Sequence, residues 1–466
     1  MSDIPAKLRS SVAAAALVML VAAGPSHAQP AEAQPEAGQP AASQGPKWTL
    51  DDCVRVALQH NPTVAIAAAS VESSRASREG ARSVLYPQAT LDASTGLGPS
   101  TSSTGTGGGT TGATNSTQVG TVALGVDWSL WQTGRHATLA QSREDLDAAT
   151  LDQLATLQSL VQQVIVDYYA VLASRELIGV AQDGVGAAQE HVHDVETRIR
   201  LGKTAEVDIY AVKSDLATAQ LDLIDATSGE RTAVAQLRNV LGLDHTTEFD
   251  IATTPLDTET AGPPFDQALA LARANRPDLA SSQAAIRSRG YALDFAHDVR
   301  GPNVTVGSQF TYDPSRSRRN AARWSLSARL SWPLFDGHAT AADEDRARAS
   351  LKQAQASARQ LDLQIALDVE QTLIELERTT ERIKASTEAL AAADARLRAA
   401  RTRYTQVGGA LLELTDARAA YTSAAADLVR ARFDRQVALV GVRQATGTLP
   451  VPTVPSEPEG AGDGSY

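Results

Sequence analysis

Four stretches of this chain alternate apolar and polar residues with period two. Between them run Ala-rich stretches whose apolar residues recur with a helical period. In 121–130, Val122, Leu124, Val126, Trp128 and Leu130 alternate with Thr121, Ala123, Gly125, Asp127 and Ser129. In 323–334, Trp324, Leu326, Ala328, Leu330, Trp332 and Leu334 alternate with Arg323, Ser325, Ser327, Arg329 and Ser331. Weaker alternation runs from Leu91 to Leu97 and over 303–313. The pattern predicts strands at about 88–98, 119–131, 303–313 and 323–335, each near the ten-residue length that crosses a bilayer as a tilted strand. Trp128, Trp131, Tyr312, Trp324, Trp332 and Phe335 fall at or near strand ends, where an aromatic girdle would sit. A soluble sandwich with one wet face has the same alternation. Four strands alone leave open edges, so some closure is required.

The intervening segments predict helices. From 50 to about 85, Val54, Ala57, Leu58, Val64, Ala65, Ala68 and Ala69 make one apolar face. Asn61-Pro62 breaks it locally, because the residue before proline avoids the α region. Positions 136 to about 200 and 339 to about 404 contain no proline, and at 1.5 Å per residue each run reaches about 100 Å. Such lengths imply coiled-coil-like or barrel packing. Their turns, Leu201-Gly202-Lys203-Thr204 and Val407-Gly408-Gly409, carry the glycine that ends a helix with positive φ. These turns are the far tips of two helical hairpins.

The order of elements occurs twice. Leu50-Asp51-Asp52, Ala57, Asn61-Pro62 and Tyr86-Pro87 are echoed about 215 residues later by Phe265-Asp266-Gln267, Ala272, Arg276-Pro277 and Gly301-Pro302. The two copies close on Leu241-Gly242-Leu243 and Thr446-Gly447-Thr448-Leu449. The organisation expected is a signal peptide over 1–28, a Pro/Ala/Gln-rich linker over 29–48, a first repeat over 49–250, a linker over 251–264, a second repeat over 265–449 and a disordered tail over 450–466. In the signal, Lys7 and Arg9 precede an apolar core and Ser26-His27-Ala28 is the cleavage site.

Composition narrows the function classes. The net charge of −12 argues against a nucleic-acid partner, which needs clustered Lys and Arg. Aromatics at 4% and abundant Ala suit long helices better than a thick globular core. No run after residue 28 is apolar enough for a membrane helix, so membrane entry would be as strands. Cys53 is the one cysteine, which excludes an intrachain disulfide; it reads as a small buried helix residue. There is no GxSxG, HExxH, P-loop or dinucleotide fingerprint, so no enzyme, cofactor or metal site is expected. His191 and His193, two apart on a helix, read as surface residues. The Ser/Thr/Gly tract over 99–118 reads as a solvated loop. A second loop over 314–322, with Arg316, Arg318 and Arg319, reads as a solvated tip or a contact for acidic headgroups.

Taken in order, the motifs resemble the TolC-like outer-membrane efflux and secretion channels (the outer membrane factors). They are Leu50-Asp51-x-Cys53, Ala57-Leu58-x-x-Asn61-Pro62, Tyr86-Pro87, Trp128-x-Leu130-Trp131-x-x-Gly134, Arg198-x-Arg200-x-Gly202 and Arg403-Tyr404 with the run from Leu411 to Ala417. The resemblance implies a mostly α chain with transmembrane β: two outer-membrane-efflux repeats whose antiparallel hairpins build a periplasmic α-barrel. It also implies a homotrimer in which four strands per protomer make a 12-stranded outer-membrane β-barrel. The location implied is the outer membrane of a Gram-negative bacterium, in contact with its lipid. The function implied is a passive conduit in a tripartite efflux pump or type I secretion system. Its partners would be a periplasmic adaptor and an inner-membrane pump of RND or ABC type. The family constricts at the periplasmic tip with acidic rings, which by position are Glu413 and Asp416 here, with Asp208 joining from the first copy and Tyr404 packing nearby. Acids early in a helix also favour its positive end without any pore. Gly202, Lys203, Gly408 and Gly409 would meet the adaptor. Gly409 stands where some members have a basic residue that locks the tip, and Val407 where the family often has Gly. A soluble periplasmic coiled-coil scaffold is the other reading, and it leaves the paired amphipathic strands without a purpose.

Overall fold

The computed structural model describes residues 47–100, 115–202, 204–254, 256, 261–313, 321–406 and 411–452. The signal peptide, nearly all of the first linker, Lys203, Arg316, Arg318, Arg319, the Val407-Gly408-Gly409 turn and the tail from 453 lie outside the described residues. So does the middle of the Ser/Thr/Gly tract. In chain order the first repeat and the residues flanking it hold β1 (Lys47–Trp48), α1 (Leu50–His60), α2 (Pro62–Ser83), β2 (Gln88–Ser100), β3 (Asn115–Trp131), α3 (Arg135–Arg200), α4 (Asp208–Val240) and β4 (Asp250–Ile251). The second holds α5 (Phe265–Asn275), α6 (Pro277–Asp298), β5 (Asn303–Tyr312), β6 (Ala322–Ser331), α7 (Ala339–Gln406) and α8 (Leu411–Ala445).

Local chemistry sets these boundaries. Thr49 and Asp52 form a capping box at the start of α1, which holds the Asp52 carboxyl below its ordinary range. Asn61 ends α1 in an extended conformation and caps α2 by accepting from the Thr63 N–H at 2.8 Å; Pro62 opens α2 with its fixed φ. Arg276-Pro277 repeats the break between α5 and α6. Each unit closes on a glycine with positive φ, Gly242 at 72° and Gly447 at 67°. There the backbone runs against the α1–α2 or α5–α6 junction so closely that a Cβ would sit 2.6 Å from the His60 carbonyl oxygen or 2.8 Å from the Asn275 carbonyl carbon.

Helices α3 and α4 pack along each other as one hairpin and α7 and α8 as a second, and α3 also packs on α2, α6 and α8. The main buried cluster lies at the root of the first hairpin. Cys53, Val54, Ala57 and Leu58 of α1 meet Val164, Tyr168 and Leu172 of α3 and Leu237 of α4. β1 and β4 pair in parallel there, and Trp48 stacks on Phe249 with ring centroids 5.2 Å apart. The second repeat has smaller clusters, with Ala268, Ala272, Ile365 and Val369 in one and Leu376, Ala438 and Leu439 in another.

The remaining strands form one antiparallel sheet in the order β2-β3-β5-β6. Leu91, Leu124, Phe310 and Trp324 make one rung across all four strands, and the adjacent rung is Asp92, Ala123, Thr311 and Arg323. One face of the sheet is therefore apolar and the other polar, and the first rung's side chains are all exposed in the single chain. β2 and β3 run 13 and 17 residues, against 10 each for β5 and β6.

Candidate constriction at the hairpin tips and the membrane sheet

The acidic pair expected at the tip opens α8. Glu413 is half-buried there and Asp416, one turn on, is exposed. Neither acts alone. Arg403, near the end of α7, reaches back across the turn and places its Nη1 2.6 Å from Glu413 Oε1. Thr415, between the two acids, donates its hydroxyl to Asp215 Oδ2 of α4 at 3.1 Å, tying the second hairpin to the first. Asp208 is half-buried at the first residue of α4. Gly202 is exposed with φ of 67° and open space around it.

Tyr404 is buried, in a cluster with Ala400, Leu414 and Ala417. The Arg198 guanidinium lies 4.3 Å from its ring centroid, and Arg198 Nη1 donates to the Tyr404 carbonyl oxygen at 3.3 Å. Burial pushes the Tyr404 hydroxyl up; Arg198 opposes this, while Asp194 and Asp208 add to it. His191 meets the same ring edge-on, with centroids 5.6 Å apart. Here the expectation of a surface histidine is corrected: His191 is only 3% exposed. Its side of α3 is covered by α7 and α8, which the helix's own sequence cannot reveal. From α8, Arg418 Nη1 donates to the Ala187 carbonyl oxygen at 3.2 Å, and burial, followed by the neighbouring Arg401, pulls its pKa down.

The structure thus brings Glu413, Tyr404 and Arg403 together within one hairpin tip and sets Arg198 of the other hairpin against Tyr404. Sequence reasoning missed the Arg403–Glu413 pair. Folding the chain back about the Gly408-Gly409 turn places 403 opposite 413, and that was the available signal. Arg198 stood among the motif residues without a role. Among the described residues no group of His, Cys, Asp and Glu has the arrangement of a metal site.

At the other end, the sheet sorts the aromatics. Trp128 pairs with Val306 and Trp131 with Val304, because a bulge interrupts the register between Ser129 and Trp131. In an unbroken strand residues three apart face opposite ways; the extra residue brings both Trp to one face. Phe310 and Tyr312, two apart on β5, lie on that same face as Val304 and Val306. Trp324, on the apolar rung, donates its indole N–H to Ser308 Oγ at 3.0 Å, pairing a polar group on the apolar face. β6 ends at Ser331, since Pro333 has no N–H to continue a ladder, so Trp332 and Phe335 lie just past it. Trp128 donates to the Leu85 carbonyl at 3.1 Å and Trp332 to the Arg300 carbonyl at 3.0 Å, the same anchor in both repeats.

Similarity to known proteins follows the same plan. The sequence profile of the family described as outer membrane efflux protein matches residues 53–243 and 268–448. Protein CyaE of Bordetella pertussis is 27% identical over 316 residues, covering 66% of this chain and 64% of that relative, just under two thirds of its length. The pyoverdine export outer membrane protein OpmQ of Pseudomonas aeruginosa is 26% identical over 413 residues, 85% of each chain. Among solved structures, the transmembrane channel CusC superposes with a TM-score of 0.75 at 18% identity, covering 91% of this chain and 99% of its own. The open MtrE outer membrane channel of Neisseria gonorrhoeae gives 0.70 at 18% identity, covering 86% and 90%.

Proposed function

This chain belongs to the outer membrane efflux protein family, the TolC-like channels, and from that premise we propose that it is the outer-membrane conduit of a tripartite efflux pump or type I secretion system. The observation that carries the proposal is the four-stranded sheet with one apolar face, two open edges and a polar opposite face. In water, that face and those edges are a liability. In an outer membrane three copies close them into one barrel: β6 of each copy meets β2 of the next, antiparallel, with the apolar face to lipid and the polar face to the lumen. A soluble scaffold has no use for Leu91, Leu124, Phe310 and Trp324 displayed together. The aromatic residues form the interfacial girdle of that barrel.

The helical hairpins extend the conduit into the periplasm. Leu221 and Ile224 on α4 and Leu363, Leu367 and Ile374 on α7 are exposed in the single chain and become contacts between copies. At the tip, Glu413 and Asp416 from three protomers ring the axis, with Asp208 and Tyr404 supporting them. The Arg403 pair takes up part of Glu413's charge, so Asp416 is the stronger cation-attracting ring. The turns bearing Gly202, Lys203, Gly408 and Gly409 receive the adaptor, which links the conduit to an inner-membrane pump of RND or ABC type. Transport through the conduit is passive and draws its energy from that pump.

The test is planar-bilayer conductance of detergent-purified protein, with its oligomeric mass measured in parallel. A cation-selective trimer is expected. Asp416→Ala should reduce selectivity more than Glu413→Ala, and the double variant most of all. A soluble species that does not conduct overturns the conduit. Unchanged selectivity in the double variant overturns the ring assignment.

A further inference from the structure

Buried polar groups are nearly always hydrogen-bonded, and an exception calls for a reason. Among the described residues, His191 Nε2 is a buried side-chain nitrogen with no partner. It sits where α3 meets both α7 and α8, behind the tip. We propose that His191 is an acid-sensitive latch: neutral, it lets the α7–α8 hairpin pack against α3, and protonated, it drives that hairpin away. The proposal rests on the reading of the tip as the constriction, and adds to it a proton that regulates opening.

The charged surroundings explain the direction. On its own helix His191 has Asp194 and Arg198, with Glu190 beside Arg418. From α7 come Tyr404 and Arg401, from α8 comes Arg418, and from α4 comes Asp208, which bears on Tyr404. Asp194 is the acid that bears on His191 directly, and it is already engaged by Arg198 at 3.2 Å. A proton on His191 therefore creates a desolvated cation beside two guanidiniums. Burial, then Arg418, lowers its pKa from 6.5 to about 4. The packed state thus keeps its full advantage above pH 6.5 and loses it as pH falls from 6.5 towards 4. A shift of that size favours release on the order of a hundredfold per protomer across the window. Release need not unfold the hairpins, because α3–α4 and α7–α8 each retain their own long contact.

Trimeric protein is compared with His191→Phe and His191→Gln at pH 7 and about pH 4.5, by bilayer conductance and by hydrogen–deuterium exchange of segments 187–198 and 400–418. The wild type should conduct more and exchange faster in these segments at the lower pH, and both neutral variants should lose that response. Every other group at the tip is common to all three proteins, so the difference between wild type and variants isolates the latch. Equal acid responses in wild type and variants overturn the proposal, as does a His191 pKa measured near 6.5. A protein that conducts at no pH refutes the channel reading instead, and the exchange comparison still decides the latch.

Discussion

The two repeats have the same backbone plan and different fastenings. α1 and α5 are both 11 residues, α2 and α6 both 22. On the long helices, Gln163 donates to Asp167 at 2.9 Å and Gln364 to Asp368 at 2.8 Å, the same one-turn contact. At the break before the second short helix the repeats diverge. Arg276 reaches Asp278 at 2.6 Å and Asp368 at 3.3 Å. Asn61, in the matching place, turns to the backbone and donates to the Val240 carbonyl at 2.6 Å. Among the described residues no arginine pairs with Asp167 as Arg276 pairs with its counterpart, and burial raises its pKa despite the bond from Gln163. Duplication preserved what the main chain requires, while the side-chain partners drifted with their surroundings.

The sharpest way to break the shared plan is at the closing glycines. Gly242→Ala and Gly447→Ala each combine a left-handed residue with a Cβ forced into backbone, and each should cost about 3 kcal/mol in denaturant unfolding in detergent. Gly202→Ala, with a similar φ but open space, should cost only about 1 kcal/mol. A small effect at either closing glycine would mean the junctions can move apart.

The fastenings should respond unequally. Arg276→Asn, which gives the second repeat the first repeat's residue, strands two partly buried carboxylates and should cost about 2 kcal/mol. Asn61→Ala removes one cap and one backbone bond, for about 1–2 kcal/mol. If Arg276→Asn proves the milder, solvent already screens that cluster.

The smallest effect separates the two aspartates. Asp167 binds its proton more tightly folded than unfolded, since its folded pKa lies above the ordinary 3.8. Its ionised form therefore weakens the fold at neutral pH, and the penalty fades as pH falls through the folded pKa. Asp167→Asn should raise the thermal midpoint slightly at pH 7, with the gain vanishing in acid. Asp368→Asn, which takes a carboxylate from Arg276, should lower it at pH 7. Effects of the same sign would remove the distinction between the repeats.

Much of the molecule was legible in the chain because its signals are local. Period-two alternation marked the sheet, the X–Pro breaks marked α1–α2 and α5–α6, and proline-free runs bounded by glycine turns marked the hairpins. The acidic pair was legible by position, but its environment was not. Arg403 meets Glu413 only when the hairpin folds, and Asp215 meets Thr415 from the other repeat. The bulge before Trp131 shows in the chain only as the apolar doublet Leu130-Trp131, and the pairing decides which face that Trp joins.

The sequence by itself determined the kinds of element, their order and their duplication, because propensity, capping and periodicity act within a few residues. Tertiary structure alone decided that His191 is buried, that Arg198 lies on Tyr404 and that burial raises the Asp167 pKa. Desolvation and charge act through space, and here groups that set them, such as Arg418 on His191, stand more than two hundred residues apart in the chain.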